Sequence, residues 1–367
     1  MRINDPKALY VHVPFCDVIC AYCDFTRVVT HPKLIEDYLY ALHEEIKLYP
    51  DIQYETIYLG GGTPSALDMD QLQTLFEIIK PHSKSVKEYT IEVNPESLTV
   101  DKAQLFVDYG INRISFGVQS FNQDELDFMH RGHTTNMIKQ GIEWLRHVGI
   151  TNISIDLIYA LPNQTLDKWA YNLEQALLLD IDHISLYALT IEDNAEFGRM
   201  KIKPIASEIE EDMYELAIET LAKAGFHRYE ISNFTKSKPS QHNMHYWHYD
   251  DYIGLGPGAV SLYKGKRIEN TKNLLYYSQF KFHGEIIELS KEDLMFEFIM
   301  MGLRVREGIE LNRFEKRFKQ SLLDVYASAM ESEANKGLIE VVDGFVRCTE
   351  RGYGLLHDVL LAFMETV

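Results

Sequence analysis

The chain predicts an α/β fold: a partial (β/α)6 barrel, or a doubly wound sheet, followed by a smaller C-terminal α+β module of winged-helix-like character. Three observations predict it. Over residues 1–235, short β-rich runs ending in Gly, Pro or polar residues alternate with longer amphipathic stretches, the pattern of a parallel sheet with right-handed crossovers. Gly110, Gly149 and Gly225 each follow a helical run, as C-terminal stop residues do. Beyond Thr235–Gln241, a polar linker with one Pro, the texture changes.

In order, the strands are expected at Ala8–Val13, Glu55–Leu59, Tyr89–Val93, Arg113–Val118, Asn152–Ile158 and His183–Leu189. These runs are apolar, rich in Ile, Val and Tyr, and short. The intervening helices are expected at Lys33–Tyr49, Asp68–Lys80, Thr99–Tyr109, Asn136–Val148 and Leu166–Leu179, with Ser207–Ala224 after the sixth strand and a short run at His227–Phe234. Residues 236–290 read as a connecting segment whose part His242–Ser261 is dense in His, Tyr, Trp and Gly without a clear period. Residues 291–367 form the second module. Lys291–Arg306 carries Leu294, Phe298, Met301 and Val305 at helical spacing. Asn312–Gly337, Leu338–Cys348 and Glu350–Met364 then read as helix, strand pair and helix.

Composition narrows the function classes. Asp plus Glu is 55 against 36 Lys plus Arg, a balance of −19. Such a surface repels phosphate backbones and anionic lipid, which argues against a nucleic-acid binder or a polybasic membrane anchor. Four cysteines in 367 residues are too few for a disulfide framework. Met1–Leu9 lacks the apolar run of a signal peptide, and no stretch approaches the length of a transmembrane span. The expectation is a cytoplasmic protein with reduced thiols.

Three of those cysteines, Cys16, Cys20 and Cys23, form C-x3-C-x2-C directly after the first strand. Thiols this close are expected to bind metal. Zinc would need a fourth ligand, Cys348 or a His; a redox disulfide is a further reading. A 4Fe–4S cube held by three cysteines would leave one iron open to a small molecule. The other strand ends are also polar or glycine-rich: Gly60-Gly61-Gly62-Thr63-Pro64, Glu92, Gln119, and Asp156 within an apolar strand. Each alone is compatible with a turn or a satisfied strand end. Four in succession point to a ligand.

These motifs resemble the radical S-adenosylmethionine superfamily, and within it the oxygen-independent coproporphyrinogen oxidase family. The resemblance covers most of the chain. It rests on the three cysteines with Tyr22 before the third, and on Tyr10–Cys16, Gly60–Pro64, Ser115–Phe121 and Asp156–Pro162. It implies a 4Fe–4S cluster on Cys16, Cys20 and Cys23, with S-adenosylmethionine at the open iron. It also implies that Tyr10 and Tyr22 lie against that cofactor and that Gly61, Gly62 and Thr63 hold its amino group. Glu92, Gln119, Arg131 and Asp156 would contact its carboxylate, ribose or sulfonium, and Ala188 would lie near the adenine. Ala160 departs from the glycine common in the family, an added methyl group expected to be harmless.

Two further departures separate the chain from the oxidase itself. Phe25 stands where the oxidase carries another cysteine, and the cluster motif begins too early for the oxidase's N-terminal extension. Both resemble the HemW-type haem-chaperone group, as does His242-Asn243-Met244-His245-Tyr246-Trp247, its H-N-x-x-Y-W signature. That resemblance implies a protein that binds haem and passes it to acceptor haemoproteins, membrane-bound respiratory ones included. Homodimerisation and peripheral membrane association through a partner are compatible with it. His242 and His245 are the candidate haem ligands, since neutral imidazole suits haem iron; the plain alternative is hydrogen-bonded histidines beside a core Trp247. The other functional alternative is coproporphyrinogen III oxidation by radical chemistry. No residue by itself requires that a substrate hydrogen is abstracted.

Overall fold

The structure, a computed structural model, describes residues 5–364; the outermost residues of the expected domain bounds, 1–4 and 365–367, lie outside the described residues. Six strands, β1 (Ala8–Val13), β2 (Thr56–Gly61), β3 (Glu88–Val93), β4 (Arg113–Gln119), β5 (Asn152–Tyr159) and β6 (His183–Ala188), pair in parallel within a twelve-stranded sheet. They follow one another in chain order without reversal. Right-handed crossovers between successive neighbours place all the helices on one face. A doubly wound sheet needs a reversal point, so the partial barrel is the architecture present.

The crossover helices are α1 (Pro32–Ile46), α2 (Met69–Ile79), α3 (Val100–Asp108), α4 (Gln123–Phe128), α5 (Thr135–His147) and α6 (Leu166–Leu177), with α7 (Ser207–Lys223) after β6. Asp68, Thr99 and Thr165 cap the starts of α2, α3 and α6 with their side chains. Gly110, Gly149 and Gly225 take positive φ just past α3, α5 and α7.

The strands alternate with period two. Leu9, Val11, Ile57, Leu59, Ile91, Ile114, Phe116, Ile155, Leu157 and Leu186 join the helices in one core, where each buried aliphatic side chain contributes about 1.5–3 kcal/mol. The other phase carries Tyr10, His12, Tyr58, Glu92, Arg113, Ser115 and Asp156. This polar phase lines the interior of the partial barrel.

Residues 236–290, read as a connecting segment, continue the main sheet. After α8 (Gln241–Trp247), the chain enters a strand (Tyr252–Leu255) parallel to β1, then three antiparallel strands, Val260–Tyr263, Lys266–Asn270 and His283–Glu288. The tight turn at Lys264-Gly265 has both residues at positive φ, as two-residue hairpins require.

The C-terminal module has its own core around Phe298, Phe314, Phe318, Tyr326, Val359 and Phe363. Its first helix is α9 (Lys291–Gly302). The helix expected over 312–337 is broken into Leu311–Phe318, Leu322–Val325 and Ala327–Asn335. Left-handed Lys319 ends the first piece, and Ser321 caps the second. The expected strand pair is a hairpin, Ile339–Val342 with Phe345–Cys348. Cys348 is buried in this module, which removes it as a fourth ligand beside the other cysteines. Among the described residues no helix is long and apolar enough to cross a membrane.

Candidate cofactor and ligand site

Cys16, Cys20 and Cys23 lie on the loop between β1 and α1, at the C-terminal edge of the sheet. Two-residue ladders join Phe15–Cys16 to Val28–Val29 and close the loop at its base. The Ala21 N–H donates to the Met129 carbonyl (3.2 Å), and the Phe197 N–H donates to the Ala21 carbonyl (3.0 Å). The Thr63 hydroxyl donates to Cys16 Sγ (3.6 Å), and Arg131 Nη1 to Cys20 Sγ (3.5 Å). Burial pushes the Cys16 thiol up to about 11, against the Thr63 bond, and the neighbouring cysteines add to the rise. Burial also raises Cys23. Ligation would therefore have to release these protons. Among the described residues, no three His, Cys, Asp or Glu side chains converge on a point where one ion would sit. Three soft sulfurs around a shared cavity, two of them accepting hydrogen bonds, suit a 4Fe–4S cube, of which each thiolate would hold a different iron.

That cavity, of about 450 Å³, gathers Cys16, Cys20, Cys23, Tyr22, Gly61, Gly62, Thr63, Glu92, Gln119, Arg131, Asp156 and Ala188. Gly62 is needed for space: a Cβ there would lie 2.8 Å from the Phe15 carbonyl and 2.9 Å from Cys16 Sγ. Gly62→Ala is therefore expected to lower bound iron while leaving the circular dichroism spectrum unchanged. Glu92 accepts from the Tyr58 hydroxyl and the Gly61 N–H, each at 2.9 Å. Burial pushes Glu92 up to about 7 against the Tyr58 bond, and the charge of Asp156 adds to the rise. Burial raises Asp156 as well, against the Ser185 and Ser115 hydroxyls. Arg131 is not a surface cation: its side chain is 4% exposed. Its Nη2 donates to Asn94 Oδ1 (2.8 Å) and the Gly117 carbonyl (2.7 Å), while its buried Nε has no partner. A free buried donor on a cavity wall suits an anionic group such as an amino-acid carboxylate.

Two strand ends leave the sheet in the left-handed region. Gln119, at a β-bulge, has φ 65°, and Ala160 has φ 60°. The methyl group of Ala160 thus sits on backbone that disfavours it by about 1–2 kcal/mol, which corrects the expectation that it is harmless. Buried Glu125 ties these two loops together. Its carboxylate accepts from Ser120 Oγ (2.6 Å), Asn172 Nδ2 (3.0 Å) and Gln164 Nε2 (3.2 Å). Glu125→Ala leaves the Asn172 and Gln164 amides buried without an acceptor, while Ser120 Oγ keeps Asn172 Oδ1. It is expected to destabilise the fold by about 3 kcal/mol, measured by denaturant unfolding.

A second cavity of about 610 Å³ adjoins the first; Asp24, Phe25, Tyr58, Gly61 and Glu92 line both. Phe25 is 64% exposed at their shared wall. Tyr10 lines only this second cavity, and its hydroxyl bonds His12 Nδ1 (3.0 Å). His242 also lines it; His245 lies outside both cavities and pairs through Nδ1 with Asp250 (2.8 Å). His242 bonds the Thr56 hydroxyl through Nδ1 (3.0 Å) and the Tyr246 hydroxyl through Nε2 (2.8 Å). Burial holds its pKa well below the usual histidine value, so it is neutral. Glu88, at the start of β3, caps α8: it accepts from Ser240 Oγ and from the Gln241 and His242 N–H groups.

Sequence reasoning missed Tyr58, Asn94, Arg113, Ser115 and Tyr187. Tyr58, Arg113, Ser115 and Tyr187 occupy the polar phase of otherwise apolar strands. A period-two reading of each strand would have found them.

A parallel partial barrel with three thiols and a cavity at its strand ends defines a radical S-adenosylmethionine protein. The family model described as Radical SAM superfamily matches residues 10–176, and the HemN C-terminal domain matches residues 289–355. Heme chaperone HemW of Bacillus subtilis (strain 168) is 35% identical, covering 98% of this chain and 99% of that relative. Heme chaperone HemW of Escherichia coli (strain K12) is 31% identical, covering 98% of each. The chain belongs to the HemW family. In fold it is similar to the coproporphyrinogen III oxidase HemN of Escherichia coli, with TM-score 0.85, 24% identity, and coverage of 98% of this chain and 90% of that one.

Proposed function

We propose that this protein is a haem chaperone: it binds haem and delivers it to acceptor haemoproteins, from a barrel that also holds a 4Fe–4S cluster and S-adenosylmethionine. Cys16, Cys20 and Cys23 would hold the cluster. Gly61, Gly62, Thr63, Glu92, Gln119, Arg131, Asp156 and Ala188 would surround the nucleoside cofactor, with Tyr22 against it. When reduced, such a cluster supplies one electron to a bound sulfonium. The chain's own part is to exclude water, orient the ligand and fix charges.

The observation that carries the reading is the pair of adjoining cavities, in a chain whose full-length curated relatives are named haem chaperones. The second cavity is of ligand size, has aromatic walls, and includes a neutral imidazole. With Nδ1–H donated to Thr56, His242 Nε2 keeps its lone pair, held only by a displaceable Tyr246 hydroxyl. A hydrogen bond to the remote nitrogen is the usual support for a metal-binding histidine. His245, tied to Asp250 and outside both cavities, is better placed to fix the helix than to meet iron. We place delivery in the cytoplasm, with membrane-bound respiratory acceptors reached through the partner, and with homodimerisation as one form of the loaded protein.

The test is anaerobic haem titration of the cluster-loaded protein, followed by transfer to an apo-acceptor. Micromolar or tighter binding and transfer support the reading. Steady conversion of coproporphyrinogen III to protoporphyrinogen would instead make the protein an oxidase; Phe25, where the oxidase has a cysteine, argues against that outcome.

Glu92 gives this reading a pH signature. Its acid is about half ionised near pH 7, and a carboxylate holds a cationic sulfonium better than the neutral acid does. S-adenosylmethionine affinity is expected to rise about tenfold between about pH 6 and pH 8. Glu92→Gln should flatten the profile in equilibrium dialysis; an unchanged profile would assign the dependence to another group.

A further inference from the structure

Five residues line both cavities: Asp24, Phe25, Tyr58, Gly61 and Glu92. Three of them are tied to one another, since Glu92 accepts from the Tyr58 hydroxyl and from the Gly61 N–H. They are the bonded part of the shared wall. Asp24 is a charged, exposed rim. Phe25 is the wall's one wholly apolar side chain. Among the described residues its ring joins none of the three apolar cores, and it stands 64% exposed.

An exposed apolar side chain by itself needs no explanation. Phe25 is distinguished by the backbone beneath it, which is fixed from several sides. Arg27 Nη1 donates to the Phe25 carbonyl (2.7 Å), and His12 Nε2 donates to the Thr26 carbonyl (2.7 Å). The Val28 N–H donates to the Pro14 carbonyl (2.7 Å). Gly258, in the turn after Tyr252–Leu255, presses on Thr26. Its φ is 79°, and a Cβ there would come within 2.5 Å of Thr26 Oγ1. Glycine alone allows that approach. A backbone held this way leaves the ring only its own rotamers, so it stays on the wall between the cavities.

We propose that Phe25 is the partition that lets the protein hold haem and S-adenosylmethionine at the same time. The inference rests on the haem reading above and deepens it, by assigning the residue that sets how the two ligands meet. Without the ring the two cavities open into one another past Tyr58 and Gly61. A flat macrocycle then has room to slide over the nucleoside site. With the ring in place, the disc has an aromatic edge to pack against and stops there.

The test is equilibrium dialysis of S-adenosylmethionine against the anaerobic, cluster-loaded full chain, with and without saturating haem. In the wild type, haem should leave the nucleoside affinity unchanged within about twofold. In Phe25→Ala, haem should weaken it about tenfold or more, and S-adenosylmethionine should weaken haem binding by the same factor. Phe25→Trp keeps an aromatic ring and should behave as the wild type. Cluster absorbance is recorded in every sample. If Phe25→Ala loses its cluster, Phe25→Leu carries the same test and should show an intermediate loss. Competition between the two ligands in the wild type overturns the partition, whatever the variants do. Independent binding in a Phe25→Ala protein that keeps its cluster overturns it too. Loss of the cluster in both smaller variants would make Phe25 a structural part of the cysteine loop instead. A wild type that takes S-adenosylmethionine and no haem overturns the haem reading itself.

Discussion

Cys20→Ser is expected to strip the protein of its iron. A hydroxyl is a poor ligand for an iron–sulfur cube, and two remaining thiolates do not retain one. Iron should fall from about four per chain in the reconstituted wild type to near zero, with loss of the visible absorbance. The change is also local. Cys20 is only partly buried, and its Sγ accepts one bond, from Arg131. Arg131 keeps its bonds to Asn94 and Gly117. The folded barrel should therefore survive, and circular dichroism should match the wild type. Iron content unchanged by the substitution would show that Cys20 is not a ligand. Zinc recovered in place of iron would return the loop to a structural metal site.

His242→Ala carries the second large effect. Removing the imidazole should weaken haem binding by about a hundredfold or more, beyond what loss of a supporting hydrogen bond costs a metal site. Tyr246→Phe provides the counter-experiment. It removes only the hydroxyl held by Nε2, so haem should bind at least as tightly as in the wild type. If His242→Ala instead lost the cluster, His242 would be a structural residue that ties α8 to Thr56 on β2. Parallel behaviour of the two variants would contradict the ligand assignment.

The barrel was legible because its local signals agree. Polar caps at Asp68, Thr99 and Thr165, glycines after the helices, and short aliphatic strands all name the same boundaries. The cysteine spacing and the polar strand ends gave most of the first cavity, since residues at the ends of parallel strands converge on one face. Four things were not legible. Residues 252–288 hold two short, mostly buried strands, a half-buried one and an exposed one, none with an extended apolar run, so pairing, not pattern, defines them. The helix after Leu311 breaks at Lys319, a residue type that gives no stop signal. The interior polar phase was hidden inside strands read as apolar blocks. The double hydrogen bonding of His242 depends on Thr56, distant in sequence, and could come only from the fold.

The most direct measurement is a crystal structure of the anaerobically reconstituted protein with S-adenosylmethionine and haem. The account predicts a four-iron cube on Cys16, Cys20 and Cys23, with the nucleoside cofactor across Gly61, Glu92 and Arg131. It predicts haem beyond the Tyr58 wall, with its iron at His242 Nε2. A single tetrahedral ion among the cysteines, or haem on the outer surface away from α8, would contradict it.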